Sequence, residues 1–427
     1  MTYRLLTAVL WGALLGWWTP RGPLTATQAL ISIVGSAAVG LHLARLPRSR
    51  RLLPLLAYAV ALEVLRSLSR APTADIPHPT AFGLVALLAG RGVQYLVTLV
   101  PMLLARRGIV LLPVLLVLVT LAAVPARTPG IPGGVAELAR VNDLRVMIRG
   151  RDLSRPVLLF VPGAPGGSEL GAMRRHLAAL ESRFVVATLD RRGGGGSYAA
   201  LGDTVTVGRS VDDIVAVTDY LRRRFGRERI VLLAHSGGSV LGVLVVQRHP
   251  EKYSAYVGTG QAVDVRESDL IFYQDVLAWA ERTGRADLAG ELREQGPPPY
   301  PDFWSYEPLM LNEGAAYGQR SAAFDVGVSE YSPLQRVHTL NAIMDTWAAL
   351  YPRMQDVDLR ESVTRLDVPA YFIQGEGEMR GLSEVFARWY PGLTAPAKRL
   401  IVIPGGHRAM FESPDRFVAA LDSLSLG

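Results

Sequence analysis

Seven histidines and no cysteines leave few side chains for nucleophilic or proton-transfer chemistry. One serine stands out by its surroundings. Ser236 lies in Ala234-His235-Ser236-Gly237-Gly238, directly after the aliphatic run Ile230-Val231-Leu232-Leu233 and just before the apolar run from Val240 to Val246. This is an A-x-S-x-G form of the strand–turn–helix elbow that lifts a serine hydroxyl above a sheet edge. The turn needs small neighbours because its backbone is strained and a bulky Cβ would collide. A serine so placed can attack an acyl carbon if a base, an orienting acid and donors for the oxyanion surround it.

The remaining parts follow in chain order. A strand at 400–403 runs into Pro404-Gly405-Gly406-His407, which leaves His407 free to swing over the serine as base. A strand at 368–374 opens into Gly375-Glu376-Gly377-Glu378. Glu378 is the candidate acid and Glu376 its rival; a glutamate serves because the role is to orient imidazole and stabilise its cation. Backbone N–H groups of Gly237 and of Ala164 or Gly163 are the oxyanion candidates. The last two belong to the loop Pro162-Gly163-Ala164-Pro165-Gly166-Gly167-Ser168, where Pro165 has no N–H to give. That loop lacks G-x-x-x-x-G-K-[ST], so a phosphate cradle is disfavoured. His235 is expected to pack under the elbow. His176, His249 and His338 have no motif around them and no H-x-x-x-H pair suggests a metal, so no cofactor is expected.

The elements that position these groups alternate in type. Residues 135–141 and 144–148 read as an antiparallel pair, and 156–161 as a buried strand. The strand 184–189 ends in Asp190-Arg191-Arg192 and four glycines, a tight turn that Asp190 and Arg192 could close by a charge-assisted bond. Residues 210–225 read as a helix capped by Ser210, with Asp212 and Asp213 in its first turn. From Asp264 to about Asp345 the alternation breaks into amphipathic pieces rich in aromatics.

The loop at 162–168, the turn at 190–197, the elbow at 234–239, Gly375 to Glu378 and Gly406-His407 stand in one order. Together they resemble the proline iminopeptidase group of the α/β-hydrolases, over about residues 135–427. The resemblance implies a mostly parallel sheet with a helical cap inserted after the sixth strand. Its parts would be a first core segment at 135–264, the cap at 265–345 and a second core segment at 346–427. It also implies a Ser-His-Glu triad working through an acyl-enzyme. Members of that group bind the substrate's free amino group with cap glutamates; Glu307, Glu313 and Glu330 are candidates, though none stands in a matching motif. This chain departs from the group at Pro162 and Ala164, where histidine and glycine are usual. It departs again at Gly237 in place of tryptophan, which enlarges the site beside the serine. Three functions therefore compete: an aminopeptidase acting on a short peptide or small molecule, an esterase or lipase for apolar esters, and a catalytically idle fold serving as a receptor or assembly domain.

Composition points to a second region. Hydrophobic residues make up 49% of 427, mean hydropathy is +0.22, and the excess is concentrated in residues 1–125. Five apolar stretches, roughly 5–19, 24–45, 52–69, 81–104 and 108–125, are near bilayer-crossing length. They predict an all-α transmembrane bundle of about five spans, joined to the globular part by the Pro/Gly-rich linker 126–134. Glu63 and Arg91 fall inside spans and are expected to pair. Arg4, Arg45, Arg48, Arg50, Arg51, Arg106 and Arg107 would share one side, against Arg21, Arg70 and Arg127 on the other. That bias predicts a multi-pass protein of the cell membrane with its hydrolase part on the extracytoplasmic face. The charge of +7 is carried almost entirely by arginine, and several of those arginines sit beside apolar segments. The lipid bilayer is thus the expected partner, and nucleic acid is not.

Overall fold

Buried aliphatic runs at Val157–Val161 and Ile230–His235 form the centre of one eight-stranded sheet. Their near-continuous apolar character is what strands covered on both faces require. The computed structural model describes residues 1–69, 81–105, 107–163, 168–198, 205–319 and 325–426. Arg70, Arg106 and the loop 164–167 lie outside them. Two compact units are present. One comprises Met1–Ala126, Tyr198–Gly202 and Tyr331–Asp345; the other comprises Arg127–Ser197, Asp203–Glu330 and Thr346–Gly427.

The N-terminal unit contains α1 (Thr2–Trp18), α2 (Ala26–Ala44), α3 (Leu52–Leu68), α4 (Ala81–Leu104) and α5 (Gly108–Ala123). Gly12 and Gly16, one turn apart on α1, bring its backbone against α3. A Cβ on either would stand 2.3 Å from the carbonyl oxygen of Tyr58 or Leu62, the close approach that small residues at this spacing permit. Arg91 Nε lies 3.1 Å from Glu63 Oε2, and Tyr95 donates to Glu63 Oε1 at 2.7 Å, so the two charges expected to pair do meet. Arg21 is buried and ion-paired with Asp345, and it donates to the Tyr198 hydroxyl at 2.9 Å. Tyr198 stacks on His338 at 5.0 Å. These contacts account for two stretches distant in sequence grouping with the helices.

The expectation of five spans needs correction on length. Among the described residues one helix, Ala26–Ala44, is long and apolar enough to cross a membrane. Helices α1 and α3 have 17 residues and α5 has 16. At about 1.5 Å per residue they reach roughly 24–26 Å, short of an about 30 Å hydrocarbon core. Large apolar side chains nevertheless face outward at helical spacing: Leu6, Leu10 and Leu14 on α1, and Leu52, Leu56 and Val60 on α3.

In the second unit, β1 (Val135–Val141) and β2 (Leu144–Gly150) form a hairpin. Its two-residue loop places Asn142 at φ 53°, the backbone such loops demand. Then come β3 (Val157–Val161), α6 (Leu170–His176), β4 (Val185–Asp190), α7 (Val207–Phe225), β5 (Ile230–His235), α8 (Gly237–Arg248) and β6 (Tyr253–Thr259). After β6 this unit has α9 (Val265–Arg282), α10 (Ala286–Gln295), α11 (Glu307–Ala316) and α14 (Leu359–Ser362), while α12 (Pro333–Val337) falls in the N-terminal unit and α13 (Thr339–Met354) starts there and belongs to this unit from Thr346. The chain closes with β7 (Ala370–Gly375), α15 (Arg380–Trp389), β8 (Lys398–Ile403), α16 (Ala409–Glu412) and α17 (Pro414–Asp422). Sheet order is β1-β2-β4-β3-β5-β6-β7-β8, antiparallel at β1–β2 and β2–β4 and parallel beyond. Leu158, Phe160, Val231 and Leu233 at its centre are fully buried, each worth about 1.5–3 kcal/mol in apolar transfer.

Three local expectations change. The helix read as 210–225 begins at Val207, because Thr206 rather than Ser210 is the cap: its hydroxyl accepts from Arg209 N–H at 3.0 Å. Arg192 does not close the glycine turn on Asp190. It forms a fork with Asp213 at 2.7 Å on both oxygens, while Asp190 accepts from Gly196 N–H at 2.8 Å. Helices follow β6, and the last long one before β7 runs past the boundary of 345 given above. Helix α13 continues through Trp347, Tyr351 and Met354, one apolar face at i, i+4, i+7 spacing.

Candidate active site

Ser236 immediately precedes α8 at φ 51°, ψ −132°, a conformation costing about 1–3 kcal/mol for a residue with a Cβ. Neighbours hold it there. Its N–H donates to Thr259 O at 3.0 Å, and its carbonyl accepts from the Ser239 hydroxyl at 2.5 Å. Ser239 Oγ in turn accepts from Ala262 N–H at 3.0 Å. Gly238 lets α8 start against the loop after β3, since a Cβ there would lie 2.2 Å from Pro162 O.

The structure brings Ser236, His407 and Glu378 into one line. His407 Nε2 is 2.9 Å from Ser236 Oγ, and its Nδ1 is 2.8 Å from Glu378 Oε1. With the Nδ1 proton donated to the carboxylate, Nε2 is left to accept from the hydroxyl. The base loop is pinned on its backbone: Gly406 N–H donates to Glu412 Oε2 at 2.6 Å and His407 N–H to Gln319 Oε1 at 2.8 Å. Burial alone would lower the His407 pKa, but Glu378, and then Glu313 and Glu169, reverse the effect and raise it. Glu376 is exposed; only its backbone N–H takes part here, donating to Ile403 O at 2.9 Å.

The oxyanion candidates separate. Gly237 is the first residue of α8, so its N–H has no intrahelical acceptor, and it lines the cavity above Ser236. Gly163 is a correction: its N–H donates to Glu169 Oε2 at 3.0 Å and is occupied. Ala164 lies outside the described residues.

Beneath the elbow is a network that no motif announces. Glu169 Oε2 also meets His235 Nδ1 at 2.9 Å, and Oε1 accepts from Arg408 at 3.2 Å. Burial opposes the Glu169 charge, yet His235, Arg408 and the Gly163 N–H overcome it and hold the carboxyl at about 2. His235 is buried, as expected, and its Nε2 reaches His407 O at 3.3 Å.

A cavity of about 230 Å³ opens over Ser236, with walls that include Val265, Phe272, Trp347, Tyr351, Met354 and Leu382. Three carboxylates line it: Glu169, already engaged by His235 and Arg408, and then Asp269 and Glu313. Burial pushes Asp269 up to about 7, against the hydrogen bonds from Tyr351 and Gln355. Burial, reinforced by Asp269, pushes Glu313 up to about 8, while His407 pulls the other way. Glu330 does not line this cavity. It is paired with Arg174 at 3.1 Å and accepts from the Thr128 hydroxyl at 2.9 Å. Glu307 is half-buried and does not line it either. The sequence reading missed Asp269, although a signal existed. With Val265, Phe272 and Val276 it occupies the buried stripe of α9, where an acid is out of place.

Sheet order, elbow and helical insertion define an α/β hydrolase. The family model described as alpha/beta hydrolase fold matches residues 156–414, and the chain belongs to that family. It is a hydrolase enzyme whose relatives resemble aminopeptidases and proline iminopeptidases. A probable aminopeptidase of Bacillus subtilis is 26% identical over 288 residues, covering 65% of this chain and 91% of its own. A probable proline iminopeptidase of Leptolyngbya boryana is 22% identical over 332 residues, covering 67% and 94%. Among solved structures, a proline iminopeptidase-related protein of Thermus thermophilus is 22% identical with a TM-score of 0.46, covering 67% of this chain and 95% of its own.

Proposed function

We propose that this chain is a membrane-attached serine aminopeptidase that removes an apolar residue from the free amino end of a short peptide or similar amide. Ser236 Oγ attacks the acyl carbon while its proton passes to His407 Nε2. Glu378 holds the Nδ1 proton and stabilises the imidazolium. The oxyanion forms against Gly237 N–H, with Ala164 N–H as the second donor. Collapse expels the leaving amine, which takes the proton from Nε2. Water then attacks the acyl-enzyme with His407 as base, and the amino acid leaves.

The observation that carries this reading is the pair Asp269 and Glu313 in a mostly apolar cavity beside Ser236, where the third lining carboxylate, Glu169, is already paired with His235 and Arg408. Burying two carboxyls there is costly unless a ligand brings the opposite charge, and a substrate ammonium group does so. The apolar walls favour a second reading, hydrolysis of apolar esters, in which both carboxyls remain protonated. The idle-fold alternative finds no support in a 2.9 Å serine–histidine contact beside an open cavity.

Membrane attachment is supported by the length and composition of α2 and by the outward apolar faces of α1 and α3. The arginine bias favours an extracytoplasmic hydrolase unit. Two measurements test the whole. Fluorophosphonate labelling should occur in the wild type and vanish in Ser236→Ala; a folded wild type that is never labelled sinks the serine mechanism. Paired aminoacyl substrates, free and N-acetylated, should then differ at least tenfold in kcat/KM in favour of the free amine, and equal rates would favour the ester reading. The protein should stay in the membrane fraction after alkaline washing, and the hydrolase unit should be cleaved by protease added outside intact spheroplasts.

A further inference from the structure

We infer that Glu169 is a positioning residue that fastens the loop after β3, the serine turn and the histidine loop to a single carboxylate. The inference rests on the hydrolase reading above. Both oxygens are engaged: Oε2 by Gly163 N–H at 3.0 Å and His235 Nδ1 at 2.9 Å, Oε1 by Arg408 at 3.2 Å. Each partner is next to a working part of the site. Gly163 precedes Ala164, His235 precedes Ser236, and Arg408 follows His407. The imidazole of His235 extends the link, its Nε2 meeting His407 O at 3.3 Å. Arg408 is steadied from the other side, its guanidinium 4.8 Å from the centre of the Phe411 ring.

No other described carboxylate joins all three loops. Glu378 reaches the imidazole itself, Glu313 and Asp269 line the cavity, and Glu412 holds only Gly406 N–H. Glu169 has 9% of its side chain exposed, so water cannot readily replace it. Removing it leaves the Gly163 N–H without this acceptor and takes one partner each from His235 and Arg408, which lets three loops drift relative to one another. A misplacement of about 1 Å in a reacting group can cost roughly a hundredfold in rate.

Glu169 also belongs to the electrostatic surroundings of His407. Those surroundings comprise Glu378 beyond β7, Glu313 on α11, Glu169 ahead of α6, Arg408 beside the ring in sequence and His235 at the end of β5. Glu169 is among the groups that favour the imidazolium. Taking away its charge makes His407 lose its proton more easily, so the acid limb of activity moves to lower pH.

The experiment is the pH profile of fluorophosphonate labelling on the full-length protein, with thermal melting to measure the folded fraction. Wild-type labelling that disappears in Ser236→Ala establishes the hydrolase reading independently of Glu169. Glu169→Asp keeps the charge but is one methylene too short to serve three partners; its labelling rate should fall at least tenfold with the acid limb in place. Glu169→Gln keeps the length but not the charge; its acid limb should move down in pH, with a lower rate. Wild-type rates and an unmoved limb in both variants would overturn the inference. So would losses that merely track the folded fraction.

Discussion

Glu378 Oε1 stands 2.8 Å from Nδ1 of His407, on the opposite side of the ring from the nitrogen that meets Ser236. The neighbouring Glu376, two residues away, is exposed. A two-residue step along one loop thus separates a carboxylate paired with His407 from a solvated one. Glu378→Gln should lower the labelling rate by about 10³–10⁴, the scale of losing the orienting acid of such a triad. Glu376→Gln should stay within about twofold. Equal losses from the two variants would show that the loop, not the carboxylate, matters.

Ser236 carries its Cβ at φ 51°, where glycine sits without strain. Ser236→Gly should abolish labelling yet raise the melting temperature of the hydrolase unit by about 2–4 °C. Relief of roughly 1–3 kcal/mol outweighs the 0.5–1 kcal/mol entropic cost of glycine. A lower melting temperature would mean the turn stores no strain.

Asp269 and Glu313 predict a pH dependence with a definite sign. Their folded values, about 7 and about 8, lie above those of free carboxyls. The folded protein therefore holds protons that the unfolded chain releases. The stability they contribute is fully present below about pH 4 and is lost as pH rises through 7 to 8. Chemical denaturation at pH 5 and pH 8 should show this fall, and Asp269→Asn should flatten it.

The same two groups should govern recognition. KM for a free-amine substrate should decrease as pH rises from 6 towards 8 and the carboxyls ionise. Glu313→Gln should raise that KM about tenfold and leave a neutral acyl ester unaffected. If both substrates suffer alike, Glu313 is shaping the cavity rather than pairing with an amine.

Thr206 and Ser210 offer a smaller test. The exposed Thr206 hydroxyl accepts from Arg209 N–H, whereas Ser210 donates to Thr206 O inside the first turn. Thr206→Ala should cost about 1 kcal/mol in chemical denaturation, and Ser210→Ala should cost far less. The reverse order would return the helix start to 210.

The serine turn, the strand ends that carry Glu378 and His407, and the helical insertion were legible in the chain because each depends on local sequence. Small residues around Ser236 mark the elbow, aliphatic runs mark covered strands, and loss of alternation marks the insertion. Charge and hydropathy likewise set residues 1–125 apart, although helix length limited how many of those stretches suffice to cross a bilayer. Only the folded chain could decide which N–H groups are spent, which acids share a cavity and which distant segments group together. Gly163 gives its proton to Glu169, Asp269 shares a cavity with Glu313, and Asp345 is bound by Arg21. Such pairings join residues far apart in the chain, and their energies depend on burial and on charges brought near by other elements, neither of which is encoded at the positions themselves.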